Sequence, residues 1–176
     1  MKSRGLLMIE HRLIEKMLLL AENEVNKMNV DNFNPILVDS VVDFIKIYAD
    51  RTHHGKEEDI LFKKLELKAL NQVDRKIMEE LIDEHKQARN KVEEIIRLNS
   101  EYKKGQKNVV TKIIEIINWL NKFYPVHIKK EDEVFFPKAD TYFSNEELEQ
   151  MLKDYYEFDA KMIHEKYNKL YEELSK

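Results

Sequence analysis

The sequence contains two copies of a residue set that commonly binds transition metals. Each copy has two histidines and one glutamate, and the copies are separated by a constant 74 residues: His11, His53 and Glu57, then His85, His127 and Glu131. The flanking residues repeat as well, because a glutamate precedes His11 as it precedes His85. An internal repeat that coincides with ligand-type residues predicts a metal site built from two related halves.

The spacing within each copy suits metal binding. His53 and Glu57, like His127 and Glu131, are four residues apart, so on a helix both side chains lie on one face and reach one ion. Imidazole together with carboxylate favours iron, manganese or zinc over calcium or magnesium. Since a carboxylate can bridge two ions, four histidines and two glutamates predict one dinuclear centre rather than two separate sites.

Ligand counting indicates what such a centre leaves available. If both ions are six-coordinate, four histidines, two bridging glutamates and a bridging oxide or hydroxide leave about one open position on each ion. Open positions are where oxygen, peroxide or nitric oxide would bind and where redox chemistry would begin. We therefore expect a small diatomic ligand or peroxide as the partner of the site.

Helices must bring these residues together. Apolar residues recur at spacings of three and four through most of the chain, which predicts long helices. Turn-forming and helix-ending residues divide the pattern into five segments, with breaks near residues 29–35, 71–74, 99–105 and 137–144. Four long helices with short connections predict an all-α, up-and-down antiparallel four-helix bundle, and a fifth helix follows it. We expect one domain over residues 1–176, with the bundle core at about 5–140 and the C-terminal helix at about 144–174.

Several residues predict where helices start, stop or bend. Asp74 is a candidate cap at the start of the third helix, and Gly105 ends that helix. Ser144 followed by Glu147 predicts a capping box for the fifth helix. Pro125 lies inside the fourth helix and should kink or interrupt it, and Pro137 should close that segment.

Composition excludes some classes of protein. The 176 residues carry a net charge of −4 with both signs interspersed, which gives no basic footprint for nucleic acid. The absence of cysteine excludes disulfides and thiolate–metal sites, and it fits a reducing cytoplasm. The only apolar run near the N-terminus, Leu6 to Ile9, is too short for a signal peptide or a membrane span. We expect a soluble cytoplasmic protein.

At these residues the sequence resembles the hemerythrin-like proteins, the His-His-Glu (HHE) cation-binding family. The matching segments are residues 53–62 and 127–137, together with Glu10-His11 and Glu84-His85, and the resemblance spans about residues 5–140. It implies a four-helix bundle that holds two non-haem iron ions, bridged by the two carboxylates and by an oxo or hydroxo group. Members of the family carry oxygen, sense oxygen or iron, or handle nitric oxide and peroxide.

The sequence departs from the oxygen-carrying members at one position. They have a further histidine four residues after the histidine of the third helix, where this chain has Arg89. A guanidinium is not a metal ligand, so one ion loses a nitrogen donor and reversible oxygen carriage is not favoured. Glu15, the repeat-mate of Arg89, could supply a carboxylate to the site or pair with Arg89.

Other side chains near the ligand set have less specific interpretations. Glu58 and Asp132 lie one residue beyond the predicted ligands Glu57 and Glu131, so their expected place is a solvated helix face. His54 has an isoleucine as its repeat-mate, which favours a supporting or surface role over ligation. Tyr124 is expected in the core, with donation to a bound oxygen species as the alternative.

Three functions remain open from the sequence. The chain could be a di-iron module that binds or senses oxygen, nitric oxide or iron, working as a homo-oligomer or with a separate signalling partner. It could be a di-iron oxidase or peroxidase-like enzyme acting on oxygen, peroxide or nitric oxide. It could also be a helical interaction domain whose metal is zinc or absent.

Overall fold

The computed structural model describes residues 3–175, and every regular element within that range is helical. Five helices follow one another along the chain: α1 Ser3–Val25, α2 residues 35–66, α3 Gln72–Lys103, α4 residues 107–142 and α5 Asn145–Leu174. The predicted all-helical class with five helices is confirmed. None of these described helices combines the length and apolar composition needed to cross a membrane.

Two of the five helices change their winding where the predicted ligands lie. In α2, an α-helical start at Pro35–Phe44 gives way to π-helical segments at Ile45–His54 and Glu57–Phe62. In α4, the α-helical part Val110–Lys130 is followed by a shorter π-helical segment, Glu131–Phe135. Hydrogen bonds in a π-helical turn reach back five residues, and such wide turns are frequent at functional sites.

The helix ends follow local capping rules. Asn71 caps α3 by accepting a hydrogen bond from the backbone N–H of Asp74, so the expectation that Asp74 itself is the cap is wrong. Gly105 has φ +101°, a conformation that favours glycine, and it follows the end of α3 as predicted. Ser144 and Glu147 form the predicted capping box at the start of α5.

The two prolines of α4 both lie within its helical winding. Pro125 lies inside the α-helical part of α4, which continues to Lys130, so it does not interrupt the helix. Pro137 lies in the first turn of a short α-helical segment, Phe136–Ala139, so it does not end α4.

Two apolar clusters form the core, and helices α1 to α4 contribute to both. The Tyr155 cluster contains Leu7, Leu65, Leu81, Phe135 and Tyr155. The Ile95 cluster contains Ile14, Val42, Ile95 and Ile117. Along each of these four helices the predicted ligands fall between a residue of one cluster and a residue of the other. The polar site is therefore enclosed by apolar packing at both ends.

Helix α5 packs against α1 and α2. It buries Met151 and Tyr155 in the Tyr155 cluster. Further along, Phe158 lies so close to Gly55 that a Cβ at that position would be 2.8 Å from the ring. Asp159 of the same turn reaches Lys56, with its Oδ1 2.6 Å from the Nζ. The fifth helix thus covers the part of α2 that carries His53 and Glu57.

Candidate metal centre

The structure brings the six predicted ligand residues together in the interior. They come from α1, α2, α3 and α4, and each is at most 2 % exposed: His11, His53, Glu57, His85, His127 and Glu131. Four ligand-type atoms, one each from His11, His53, Glu57 and Glu131, lie within 4.8 Å of one another. A cluster of this kind can hold a cation.

Each glutamate contacts histidines of both copies of the repeat. One oxygen of Glu57 lies 3.5 Å from Nε2 of His53, and the other lies 3.4 Å from Nε2 of His85. One oxygen of Glu131 lies 3.1 Å from Nε2 of His11, and the other lies 3.2 Å from Nε2 of His127. Both carboxylates therefore lie between the histidine pair of the first copy and that of the second.

Each of the four histidines has a carboxylate within hydrogen-bond distance of its Nδ1. The pairs are His11 with Asp132 (2.7 Å), His53 with Glu10 (2.8 Å), His85 with Glu58 (2.7 Å) and His127 with Glu84 (2.7 Å). A histidine that donates Nδ1–H to a carboxylate has its lone pair on Nε2, which is the usual arrangement of a metal-binding histidine. The four rings are thus oriented with Nε2 towards the two glutamates.

Four basic side chains complete these pairs. They are Lys56 on Glu10, Lys130 on Glu84, Arg89 on Glu58 and Arg12 on Asp132. Lys56 is fully buried, so its charge is matched inside the protein, by Glu10 and by Asp159. Each supporting carboxylate thus has a basic partner, whereas the ion-pair contacts found for Glu57 and Glu131 within the described residues are with histidines.

The prediction that Glu58 and Asp132 lie on a solvated face is wrong. The side chain of Asp132 is 9 % exposed and that of Glu58 is 28 % exposed, and each accepts a hydrogen bond from a predicted ligand histidine. The two residues are repeat-mates and perform the same task for His11 and His85. The repeat contained this signal, but the partner histidine lies on another helix and local spacing does not identify it.

The inward-facing atoms of the cluster fit a metal. The four histidine Nε2 atoms and all four oxygens of Glu57 and Glu131 are buried without a hydrogen-bond partner among the described residues. Burying so many unpaired polar atoms is costly, at about 1–3 kcal/mol each. Ligands about 2.1 Å from an ion and at right angles are about 3 Å apart, close to the nitrogen–oxygen distances found here. The donor set, imidazole with carboxylate, is that of iron, zinc or manganese sites.

The pKa shifts of the two glutamates also favour a bound cation. Burial, reinforced by the charge of Glu131, raises the pKa of Glu57 well above its ordinary range. Burial also acts to raise the pKa of Glu131, but His127 and His11 outweigh it and hold that pKa well below its ordinary range. A cation bound between the two carboxylates would oppose both causes of the rise at Glu57 and lower the pKa of that residue.

Two residues that the sequence left open lie outside the cluster. Arg89 binds Asp50 through Nε and Glu58 through a terminal nitrogen, both at 2.7 Å, so its guanidinium supports carboxylates near the site. Glu15 pairs with Arg12 at 2.9 Å and its side chain is 32 % exposed. Neither of the two roles considered for Glu15, ligation or pairing with Arg89, is the contact that the structure shows.

His54 is a residue whose position the sequence did not predict. Its side chain is buried, so the surface interpretation is wrong. One ligand-type atom from each of His54, His85 and His127 lies within 4.8 Å of the other two. Burial lowers the pKa of His54 to about 3, so the ring is neutral at physiological pH. Its adjacency to His53 was the available signal, but ordinary helical spacing turns consecutive residues to different faces.

Tyr124 is buried, as expected, and lies beside the site. Its ring stacks on His54 with centroids 6.2 Å apart and meets His127 edge-on at 6.3 Å. Its hydroxyl has no hydrogen-bond partner among the described residues. Burial raises the pKa of this phenol above its ordinary value, so it remains a protonated donor. Tyr124 and His54 also line a cavity of about 30 Å³.

Comparison with known families adds independent support to this site. The family model for the hemerythrin HHE cation-binding domain matches residues 4–139 and, overlapping with them, residues 76–174. Comparisons with curated proteins and with solved structures gave no match. The first of the two family matches covers more than half of the chain and includes all six predicted ligand residues. The chain therefore belongs to the hemerythrin HHE cation-binding family.

Proposed function

We propose that the chain binds two non-haem iron ions at this cluster and uses them to bind or sense oxygen, nitric oxide or iron. The observation that carries the proposal is the convergence of four oriented histidine Nε2 atoms on two buried carboxylates with unpartnered oxygens. Membership of a cation-binding family supports it. The proposed ligands are the residues expected from the sequence: His11, His53, Glu57, His85, His127 and Glu131.

The contacts of the glutamates support two ions rather than one. Each carboxylate has one oxygen beside a histidine of the first copy and the other beside a histidine of the second. Carboxylates placed in this way would bridge one ion held by His11 and His53 and another held by His85 and His127. Two anionic bridges with an oxo or hydroxo group nearly neutralise two divalent ions in a buried site, which favours their retention.

The order of cluster residues supports an up-and-down bundle. Residues of the Tyr155 cluster precede those of the Ile95 cluster in α1 and α3, and the order is reversed in α2 and α4. Neighbouring helices that alternate in this way run antiparallel. We infer that α1 to α4 form the four-helix bundle and α5 is an addition to the same domain. The cytoplasmic location expected from the sequence stays a prediction.

The cavity beside Tyr124 favours a small ligand. Its volume of about 30 Å³ gives room for about one or two molecules of the size of water or oxygen, and its lining includes His54 and Tyr124 but none of the six proposed ligands. The unpartnered hydroxyl of Tyr124 supplies a donor at its wall. Iron at the site would supply the redox chemistry, and the phenol would supply a hydrogen bond or a proton.

The same phenol supports the alternative function, a di-iron oxidase or peroxidase-like enzyme. A buried tyrosine that donates a hydrogen bond beside an oxidising centre suits turnover as well as reversible binding. The two functions predict different behaviour after exposure to oxygen. A stable and reversible absorption band would support binding or sensing, whereas rapid one-way oxidation would support the enzyme.

Metal analysis tests the proposal first. We expect two iron ions per chain in protein purified without added metal, and stopped-flow spectra after mixing with oxygen then separate the two functions. Zinc alone, or no metal in protein with all six ligands intact, would refute both. Manganese in place of iron would keep the dinuclear site and overturn the assignment of the metal.

A further inference from the structure

The repeat supplies a comparison for His54, because its mate in the second copy is Ile128. Both side chains are 2 % exposed. An isoleucine therefore satisfies the packing of this position in one half of the molecule, and packing alone does not require an imidazole in the other half. The histidine must be explained by its ring nitrogens.

On its Nδ1 side, His54 has the same kind of support as the predicted ligands. Its Nδ1 faces the carboxylate of Asp50 at 3.3 Å, and Asp50 in turn accepts a hydrogen bond from Arg89 at 2.7 Å. This is the same sequence of histidine, carboxylate and cation that orients His11, His53, His85 and His127. Arg89, which has no ligand nitrogen of its own, thus supports two histidines, His54 through Asp50 and His85 through Glu58.

The His54 ring also packs against His85 and His127, the histidine pair of the second copy. The ring is stacked on His85 with centroids 3.8 Å apart and an interplanar angle of 10°, and it meets His127 nearly at right angles, 5.8 Å away. One ligand-type atom from each of His54, His85 and His127 lies within 4.8 Å of the other two, and with Nδ1 facing Asp50 the nitrogen left to bind an ion is Nε2.

We propose that His54 is a fifth nitrogen ligand of the dinuclear centre, on the ion held by His85 and His127. The inference rests on the proposed function, since it assigns a ligand to the same two ions. It makes the centre asymmetric: two histidines bind one ion, three bind the other, and Glu57 and Glu131 lie between them. The ion with two histidines then keeps the more open coordination.

Replacing His54 by its repeat-mate tests this assignment. In His54→Ile we expect at least about tenfold weaker binding of one iron ion, while the other ion is retained. Mössbauer spectra of ⁵⁷Fe-loaded protein should show two doublets of equal area in the wild type, of which only one is lost or altered in the variant. A His54 that only stacks on His85 would shift that doublet but keep the iron, so loss of the iron is the result that identifies a ligand.

Two further variants keep the test decisive. His54→Gln keeps a polar side chain of similar length near Asp50 but offers a poor ligand, so it replaces His54→Ile if that variant does not fold. His164→Gln, at an exposed position on α5, is the matched control and should keep both doublets and both affinities.

The outcomes separate the two proposals. Wild-type protein with two iron ions, together with unchanged affinities and spectra in His54→Ile and His54→Gln, would overturn the role of His54 and leave the proposed function standing. Wild-type protein that binds no iron would refute the proposed function and the fifth ligand with it. Selective loss of one doublet supports both.

Discussion

The two copies of the repeat, α1 with α2 and α3 with α4, support their histidines in the same way but differ in what lies around them. In both copies a glutamate contacts Nδ1 of one histidine and another acidic residue contacts Nδ1 of the other histidine. In both copies a lysine also pairs with the first of these glutamates. They differ at His54 against Ile128, at Glu15 against Arg89, and in the longer π-helical segment of α2. The repeat therefore builds a symmetric frame, and a few substitutions make the two ion positions unequal.

Burial also distinguishes the copies. Lys56 is fully buried and pairs with Glu10 and Asp159, whereas the side chain of its mate Lys130 is 27 % exposed and pairs with Glu84 and Glu80. The cause is α5, which lies on the first copy. The same interaction should therefore contribute differently to stability in the two halves.

The largest expected effect is the loss of a histidine ligand from either copy. His53→Ala and His127→Ala should both lose iron and the stability that iron confers, about 4.1 kcal/mol for an ion at 1,000 times its Kd. His53→Ala should lose more, because one histidine is left at its ion, whereas two are left at the other if His54 binds. Iron content and melting with and without a chelator measure this. Unchanged iron content in both variants would contradict the ligand assignment.

The sequence predicted which residues converge in the interior better than it predicted the residues that support them. The constant offset identified His11, His53 and Glu57 with their mates, because a duplicated ligand set is a property of the chain alone. Hydrogen bonds between helices, such as that of His11 with Asp132 across 121 residues, depend on how the helices pack. Local spacing does not contain this information, and it placed Asp132 on a solvated face instead. His54 was misplaced for a related reason, since π-helical turns change which side chains of α2 face inwards.

The second prediction compares the buried Lys56 with its partly exposed repeat-mate, Lys130. Lys56→Met should destabilise the metal-free protein by about 3 kcal/mol, because it leaves Glu10 and Asp159 without their cation in the interior. Lys130→Met, the matched variant of the second copy, should cost less than about 1 kcal/mol since water reaches that pair. Urea unfolding in the presence of a chelator measures both. Equal losses would show that α5 does not create the difference.

A third, smaller effect tests the contact of α5 with the first copy. A Cβ in Gly55→Ala would lie 2.8 Å from the tip of the Phe158 ring, so the ring must move, at about 1 kcal/mol. Lys129→Ala, at the exposed mate position, should leave stability unchanged. Adding Phe158→Ala to Gly55→Ala should remove the extra loss, which a double-mutant cycle of unfolding free energies detects. Strict additivity of the two variants would mean that this close approach carries no energy.

The smallest expected effect is at Glu15, the mate of Arg89. Because Glu15 pairs with Arg12 at a partly exposed position, Glu15→Gln should change stability by no more than about 0.5 kcal/mol and leave the iron content unchanged. Arg89→Gln should be more damaging, since Arg89 supports Asp50 and Glu58 and through them His54 and His85. Iron content and unfolding of the two variants, measured side by side, test the asymmetry directly. If Glu15→Gln loses iron, the first copy supplies a carboxylate where the second has its arginine, and the ion held by His11 and His53 is not the more open of the two.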